Sequence, residues 1–368
     1  MNENKIFNRL YWKPAFDLCK INKLVKSKNR FPIKSNAKEV LAAATDTFAL
    51  KFGQYIAKPH PLASELSIKD IALACGEKIR PMQSHETDSN VLARGWSSSD
   101  FANLLSETAK VVMHVNYHNQ ADYLNFCKLV EVPDFHLLEI PRIDSDIELL
   151  PVSDTSQLER AIASVLPAAT GAKLTSYGRA VIVGRELLYD TRLDSLKEIF
   201  MRLGQHAARL ETRLVTQALE GNANLNDGNP VFAEEHANTV SQTLPDGLPF
   251  GMKLLRTQLT NTGWPANNAV HSLVVEPTLE STARHLIHES GLEIKICVLP
   301  ELPSGRWYLL ADPQNSPAVG VLRLAGSKSP IDSMPKKLPI QFDGLGLSVT
   351  TDTCALMLGR VGIVRGGV

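Results

Sequence analysis

Residues 192–220 read RLDSLKEIFMRLGQHAARLETRLVTQALE, and they carry the strongest local structural signal in the chain. Apolar side chains recur there at spacings of three and four residues, which predicts one long amphipathic helix that ends at Gly221. A helix of about 29 residues is ~43 Å long at ~1.5 Å per residue, which is long for a globular protein. The predicted buried seam is Leu196, Phe200, Leu203, Ala207, Leu210, Leu214 and Gln217. Five basic residues lie off that seam: Arg192, Lys197, Arg202, Arg209 and Arg213.

Local patterns on either side of this helix predict a mixture of helices and strands. Before it we expect helices over 39–58, 67–80 (capped by Ser67) and from Ser98 or Ser99 to 117, a polar linker over 83–95, an extended segment over 129–140 and a return strand over 173–183. After it we expect helices over 248–259 and 277–289, strands over 273–276, 292–299, 307–311 and 318–324, a Pro/Lys linker over 327–339 and closing strands over 342–364. The class is therefore α+β, with a long hairpin that leads into the helix.

Composition excludes several classes of protein. The 368 residues carry 39 basic and 39 acidic side chains, so no overall charge marks a nucleic-acid or membrane binder. No apolar run approaches the ~18 residues of a membrane span, and the charged amino-terminal segment is unlike a signal peptide. The five cysteines lack CxxC spacing, so we expect reduced, mostly buried thiols in a cytosolic protein: Cys19, Cys75, Cys127, Cys297 and Cys354.

Motifs for chemistry are weak throughout. His114 and His118 have the i,i+4 spacing of a zinc site, but the Glu of HExxH and a third ligand are lacking. His285 and His288 are interpreted as solvated residues of a helix face. No P-loop, GxSxG or dinucleotide fingerprint occurs. We expect no catalytic residues, no cofactor and no metal. The enzymatic alternative is a cytosolic hydrolase that uses His236 with Glu234 or Glu235.

Seven short segments, in order, resemble the major capsid proteins of tailed phages with the HK97 fold, in the Mu-like major head subunit group. They are Ser98–Leu105, Val132–Phe135, Thr175–Arg179 with Gly184–Leu187, Gly204–Arg213, Pro230–Asn238, Leu273–Pro277 and Trp307–Pro313. The chain departs from the family where Ala233 replaces the first His of an "FHADH"-like motif. Residues 1–96 match loosely and are too few for the prohead protease fused to many relatives, so proteolysis is not expected here.

The resemblance implies a domain plan. It consists of an amino-terminal arm and helical extension (1–96), the start of the P domain (97–134), an E-loop hairpin (135–179), the P domain with its spine helix (180–244), an A domain (245–340) and returning P-domain strands (341–368). The implied function is self-assembly into hexamers and pentamers of an icosahedral shell around double-stranded DNA. The implied partners are the chain itself, portal and scaffold proteins, packaged DNA and a possible decoration protein. The implied location is the virion capsid, assembled in the bacterial host cytoplasm, with no membrane partner. An encapsulin-like compartment is the alternative within the same fold.

Charge is unevenly distributed along the chain. The first 30 residues hold eight basic and two acidic residues, whereas residues 131–160 hold eight acidic and two basic ones. This complementarity predicts a clasp between subunits: Lys5, Arg9, Lys13, Lys20 and Lys23 against Asp144, Asp146, Glu148, Asp154 and Glu159. The alternatives are two unrelated solvated segments, or an arm that lies near DNA. No lysine occurs between Arg142 and Gly171, so we expect no isopeptide cross-link through this loop.

Overall fold

The computed structural model describes residues 37–136, 141–143, 165–167, 173–184, 193–225, 227–260, 263–327, 329–336 and 344–367. The chain forms two compact units, and helices and strands mix in both, which confirms the α+β class. The first unit comprises the described parts of 1–117, 178–205 and 331–351, and the second those of 118–177, 206–330 and 352–368. No helix in these described ranges has the length and apolar character that a bilayer crossing requires.

Helices dominate the first unit. They are α1 (Ala37–Lys51), α2 (Ile68–Ile79), α3 (Asp88–Trp96), α4 (Ser99–His118) and the first part of α5 (Leu193–Glu220). The predicted cap of α2 is confirmed, since Ser67 Oγ accepts from the Asp70 N–H at 3.2 Å and the Asp70 carboxylate accepts from the Ser67 N–H at 2.8 Å. The cap of α4 is confirmed as well, because Ser98 Oγ accepts from the Phe101 N–H at 3.1 Å.

Two predictions in this helical region are wrong. The first predicted helix ends at Lys51 and does not reach residue 58. The chain turns directly after Lys51, and Gly53 there adopts φ +77°. The predicted polar linker over 83–95 contains α3, whose short apolar face of Val91, Leu92 and Trp96 is buried. Its nine residues have too few apolar positions for a helical period to stand out in the sequence.

Aromatic contacts form the core of the first unit. Phe101 lies edge-on to Phe48, with ring centroids 5.7 Å apart, and to Trp96 at 4.7 Å. Phe52 stacks on Phe200 of α5 at 5.9 Å. The backbones of α4 and α5 approach closely at Gly204, where an added methyl group would overlap the Met113 carbonyl.

Strands complete the first unit. The strand β10 (Asp332–Lys336) pairs antiparallel with β11 (Gly344–Met357) through Ser333 opposite Val349, and β4 (Thr175–Gly184) also pairs with β11. The predicted linker over 327–339 is therefore wrong over 332–336. Pro335 and Lys336 suggested a linker, but β10 lies at the end of the strand order, where a missing proline N–H is tolerated.

The second unit contains a five-stranded sheet in the order β5-β12-β8-β6-β7. The strands are β5 (Thr239–Val240), β6 (Ser272–Val275), β7 (Lys295–Val298), β8 (Trp307–Leu310) and β12 (Ile363–Gly366). Helices α6 (Leu244–Thr257) and α7 (Glu280–Ser290) pack on it around the buried Trp307 and Leu309. Gly291, with φ +63°, ends α7 as predicted.

Further strands of the second unit lie under the second part of α5. The strand β1 (Lys128–Val132) pairs parallel with β9 (Val319–Leu324), and residues 353–357 of β11 pair antiparallel with β9. The predicted extended segment over 129–140 is thus a strand only to Val132, and residues 137–140 lie outside the described ranges. The short strands β2 (Pro141–Ile143) and β3 (Val165–Pro167) pair antiparallel within the predicted hairpin.

Candidate functional site

The residues of the hydrolase alternative, Glu234, Glu235 and His236, form one short helical turn. Glu234 and Glu235 are exposed, and Glu235 Oε1 lies 3.7 Å from His236 Nε2, beyond hydrogen-bond distance. The loop that carries them is organised by Asn238, whose side-chain amide donates to the Val231 carbonyl at 2.7 Å and accepts from the Ala233 N–H at 3.3 Å. Hydrogen bonds to the backbone shape this loop, including at Ala233, where the chain departs from the related motif.

The described ranges contain no cluster of side chains arranged for metal binding or for thiol chemistry. No group of three or more His, Cys, Asp and Glu side chains there is placed to hold a metal ion. Burial raises the pKa of the Cys75 thiol to about 12 and that of Cys297 to about 11, so both are protonated at neutral pH and unreactive. Cys127 is also buried, whereas Cys354 is half-buried. All four are free thiols, as predicted, and Cys19 lies outside the described ranges.

The face that α5 buries differs from the predicted seam. Leu196 and Phe200 are buried as predicted. Beyond them the buried positions are Gly204, Ala208, Glu211, Val215, Thr216 and Leu219, whereas Leu203, Ala207, Leu210 and Leu214 are half-buried and Gln217 is exposed. From Gly204 to Val215 each buried position follows the predicted one by one residue. Since one residue corresponds to a rotation of about 100° around a helix, the buried face of the second part is rotated by about that angle from the predicted seam.

Glu211 accounts for this rotation. Its side chain is only 1% exposed, and its carboxylate accepts hydrogen bonds from the Tyr123 hydroxyl and from both terminal nitrogens of Arg323, with Nη2 at 2.6 Å. Arg323 also donates to Thr353 Oγ1 at 2.9 Å. A buried carboxylate needs such partners because desolvation of an unpaired charge is costly. The second part of α5 therefore turns its one mid-helix carboxylate, and not its leucine seam, towards the strands.

His118 borders this cluster. Burial, and next the positive charge of Arg323, hold the pKa of His118 below its usual range, while Glu211 opposes them. The imidazole is therefore neutral in the folded subunit at neutral pH.

A second polar cluster fixes the end of α5. The Tyr308 hydroxyl donates to Glu220 Oε1 at 2.6 Å, and Arg306 Nε lies 3.4 Å from the same oxygen. Burial, followed by the hydrogen bond to Glu220, raises the pKa of Tyr308. Arg365, directly opposite Tyr308 on β12, lies 4.8 Å above the Phe232 ring. Two guanidinium groups beside the carboxyl end of a helix also complement its dipole.

The face of α5 opposite these clusters is polar and basic. In the second unit its exposed residues are His206, Arg209, Arg213 and Gln217, spaced by three, four and four residues. Arg213 Nε donates to Glu301 at 2.8 Å. The sequence placed Arg209 and Arg213 off the seam, and their exposure agrees with that placement.

The predicted inter-subunit residues lie outside the described ranges. They are Lys5, Arg9, Lys13, Lys20 and Lys23 in the arm, and Asp144, Asp146, Glu148, Asp154 and Glu159 in the loop. Sequence reasoning did not identify Tyr123, Glu211 and Arg323. The one local signal was an acidic residue in phase with Ala208, Val215 and Leu219 at spacings of three and four.

Comparisons with known proteins give distant similarities. No curated protein matches the chain. Similar solved structures include a virus-like particle from Pyrococcus furiosus, at 10% identity over 70% of this chain and 97% of that one, with a TM-score of 0.43. The capsid of cyanophage P-SCSP1u shows 10% identity over 66% of this chain and 86% of that one, with a TM-score of 0.43. The encapsulin from Synechococcus elongatus PCC 7942 shows 9% identity over 66% and 85%, with a TM-score of 0.41.

One protein family matches a continuous part of the chain. Residues 167–365 match the family described as phage capsid protein. The matched range contains all of α5, both polar clusters of that helix apart from Tyr123, and the sheet β5-β12-β8-β6-β7 apart from Gly366. Because this range is more than half of the 368 residues, the chain belongs to the phage capsid protein family.

Proposed function

We propose that this chain is the major capsid protein of a tailed phage, with an HK97-like fold of the Mu-like group. It self-assembles into hexamers and pentamers, which form an icosahedral shell around double-stranded DNA. The observation that carries this proposal is the family match over residues 167–365. The chain acts as a structural protein without catalytic residues, in the virion capsid, after assembly in the host cytoplasm.

Exposed apolar side chains support self-association. In the second unit Leu259 and Trp264 are 61% and 58% exposed, at the two sides of a turn closed by the bridge between Leu259 and Pro265. In the first unit Ile182 and Met334 project from strands and are exposed. Large apolar and aromatic residues on a surface mark protein interfaces, since water contact with them is unfavourable.

The domain plan is part of the proposal. The hairpin over 135–179 acts as an E-loop over a neighbouring subunit, α5 is the spine of the P domain, and residues 245–340 form the A domain. The pairing of β2 with β3 supports a hairpin in the first of these segments. Portal and scaffold proteins, and a possible decoration protein, are further partners of the assembled shell.

Electron microscopy of the purified protein tests the function. We expect icosahedral particles of megadalton mass, and double-stranded DNA inside particles taken from lysates of phage-producing cells. An encapsulin-like compartment would instead hold protein cargo without DNA. A hydrolase would elute from size-exclusion chromatography as a small oligomer without particles, and that result would refute the capsid proposal.

The shell is held together without isopeptide bonds through the loop over 143–170, because that segment contains no lysine. Denaturing electrophoresis of intact particles should therefore show a single band at the mass of one subunit. A ladder of covalent multimers would contradict this.

The charge clasp between the arm and the acidic loop is a separate part of the proposal. Single exposed ion pairs contribute only ~0.2–1 kcal/mol, but the clasp repeats in every subunit. We expect particles to dissociate at lower denaturant concentration as NaCl rises, because salt screens exposed charges. A variant lacking residues 2–30, and one with the five arm residues Lys5, Arg9, Lys13, Lys20 and Lys23 changed to Gln, should both lose this salt dependence. Equal salt dependence in the parent and both variants would show that the two segments are unrelated.

A further inference from the structure

The second part of α5 separates its charges by sign. Its two carboxylates, Glu211 and Glu220, are directed to the polar clusters described above, where Arg323, Tyr308 and Arg306 surround them. Its exposed face carries no carboxylate of the helix itself. A net positive strip therefore remains on the surface of this helix.

Geometry makes this strip linear. His206, Arg209 and Arg213 follow each other at three and four residues, so they span ~10 Å along the helix axis. Arg213 is 57% exposed and shares its guanidinium with Glu301, whereas Arg209 has no ion-pair partner in the described ranges. Duplex DNA carries one negative charge per ~1.7 Å of its axis, so a 10 Å strip faces about six phosphate charges.

The composition of the strip favours a phosphate backbone over a protein partner. All its exposed residues are polar: His206, Arg209, Arg213 and Gln217. A protein interface has an apolar or aromatic centre within a polar rim, whereas surfaces that bind DNA are more polar and more positive. Side chains on one straight helix face provide charge without the shape that reads base edges.

We propose that this face of α5 binds the phosphate backbone of duplex DNA without sequence preference. The inference rests on the proposed function, since it assigns the surface of the subunit that contacts the packaged DNA. Arg209 and Arg213 supply the charge, Gln217 donates a hydrogen bond, and Glu301 weakens the contact by competing for Arg213.

The test measures binding of purified subunits, kept below the concentration at which they assemble, to a fluorescent 30-base-pair duplex, by anisotropy between 50 and 200 mM NaCl. Arg209→Gln with Arg213→Gln should remove about two phosphate contacts and reduce the slope of log K on log [salt] by about 1.8. The loss of affinity across this salt range should then be about 12-fold smaller than in the parent. Glu301→Gln should strengthen binding at every salt concentration. Duplexes of unrelated sequence should bind equally.

Arg284→Gln is the matched control. Arg284 is 63% exposed and pairs with Glu280 on α7, much as Arg213 pairs with Glu301, and it lies outside the strip. Its slope should equal that of the parent. A parent that does not bind the duplex would overturn the inference, and so would equal slopes for the double variant and the parent.

Particle formation by each variant, scored by electron microscopy, separates this inference from the proposed function. Absence of particles from the parent protein refutes the capsid proposal whatever the binding data show. Normal particles from the double variant, with the reduced salt slope, support the inference. Loss of particles in the double variant with unchanged DNA binding would overturn it, and would assign the face to a neighbouring subunit's carboxylates.

Discussion

Replacing Glu211 by alanine removes the acceptor at the centre of the buried cluster under α5. Arg323, whose side chain is 12% exposed, then loses its carboxylate partner, and the acceptors that remain beside it include the neutral hydroxyls of Thr353, 2.9 Å from Nη1, and Tyr123, 3.4 Å from Nη2. The buried Tyr123 hydroxyl loses its acceptor as well. Breaking a buried pair by removing one partner costs about 3–5 kcal/mol, since the remaining charge stays desolvated. We expect a loss of that size in the free energy of unfolding of the second unit.

Urea unfolding of unassembled subunits, followed by circular dichroism, measures this loss. Protein concentration must stay below the assembly threshold, because association adds apparent stability. Hydrogen exchange of the amides of residues 206–220 provides a local readout, since the unfolding of two units need not be a single transition. These amides should exchange faster in the variant.

Glu198→Ala is the matched control on the same helix. Glu198 pairs with Arg202 at 2.5 Å, but both side chains are more than half exposed, so the loss should stay below about 0.5 kcal/mol. A triple variant with Tyr123→Phe, Glu211→Met and Arg323→Met replaces the whole cluster by apolar groups of similar size, and its stability should be close to that of the parent.

The reasoning fails in two cases. A cost below about 1 kcal/mol for Glu211→Ala would mean that water reaches Arg323, contrary to its burial in the structure. A triple variant as unstable as Glu211→Ala would mean that the cost comes from lost packing and not from a charge left without its partner.

Three further predictions concern other parts of the fold. Gly204→Ala should lower the free energy of unfolding by about 1–3 kcal/mol, because the added methyl group would overlap the Met113 carbonyl. The control Gly184→Ala, which has open space around it, should change the melting temperature little, and equal melting temperatures for the two variants would contradict the close approach at Gly204. The pKa of His118 is lowered in the folded state, so its contribution to stability is complete above about pH 6.5 and is lost as pH falls through the folded-state pKa. Urea unfolding should therefore show a smaller decrease in the stability of His118→Gln than of the parent between pH 7.5 and 5. Parallel pH profiles of the two proteins would refute this. The Arg360 guanidinium lowers the pKa of Asp227 to about 2, so this pair stabilises the fold above about pH 4 and stops doing so as pH falls towards 2. Arg360→Gln should reduce this loss of stability in acid, and 1 M NaCl should reduce it in the parent because Asp227 is half exposed. A pH profile that neither change alters would contradict the assignment.

The sequence alone determined the elements that depend on neighbouring residues. The long helix, the Ser67 cap and the Gly291 stop are set by contacts within a few residues, so their signals are present in a short stretch of chain. The alternating apolar residues over 292–299 likewise predicted a strand, and the structure contains β7 there. The α+β class followed from these local signals, whereas the resemblance to phage capsid proteins rested on the seven short segments of sequence given above.

Only the tertiary structure decided which faces of those elements are buried. The helix α3 and the edge strand β10 have too little local pattern to be predicted, and their partners in the fold stabilise them. The rotation of α5 has the same origin. Glu211 is buried because Tyr123 and Arg323, which lie 88 and 112 residues away in the chain, bring their donors to it. Prediction from helical periodicity places apolar residues on the buried face and carboxylates on the exposed face. It therefore predicted that the seam with Leu203, Leu210 and Leu214 is buried and that Glu211 is not. The partners that reverse this preference exist only once the chain has folded.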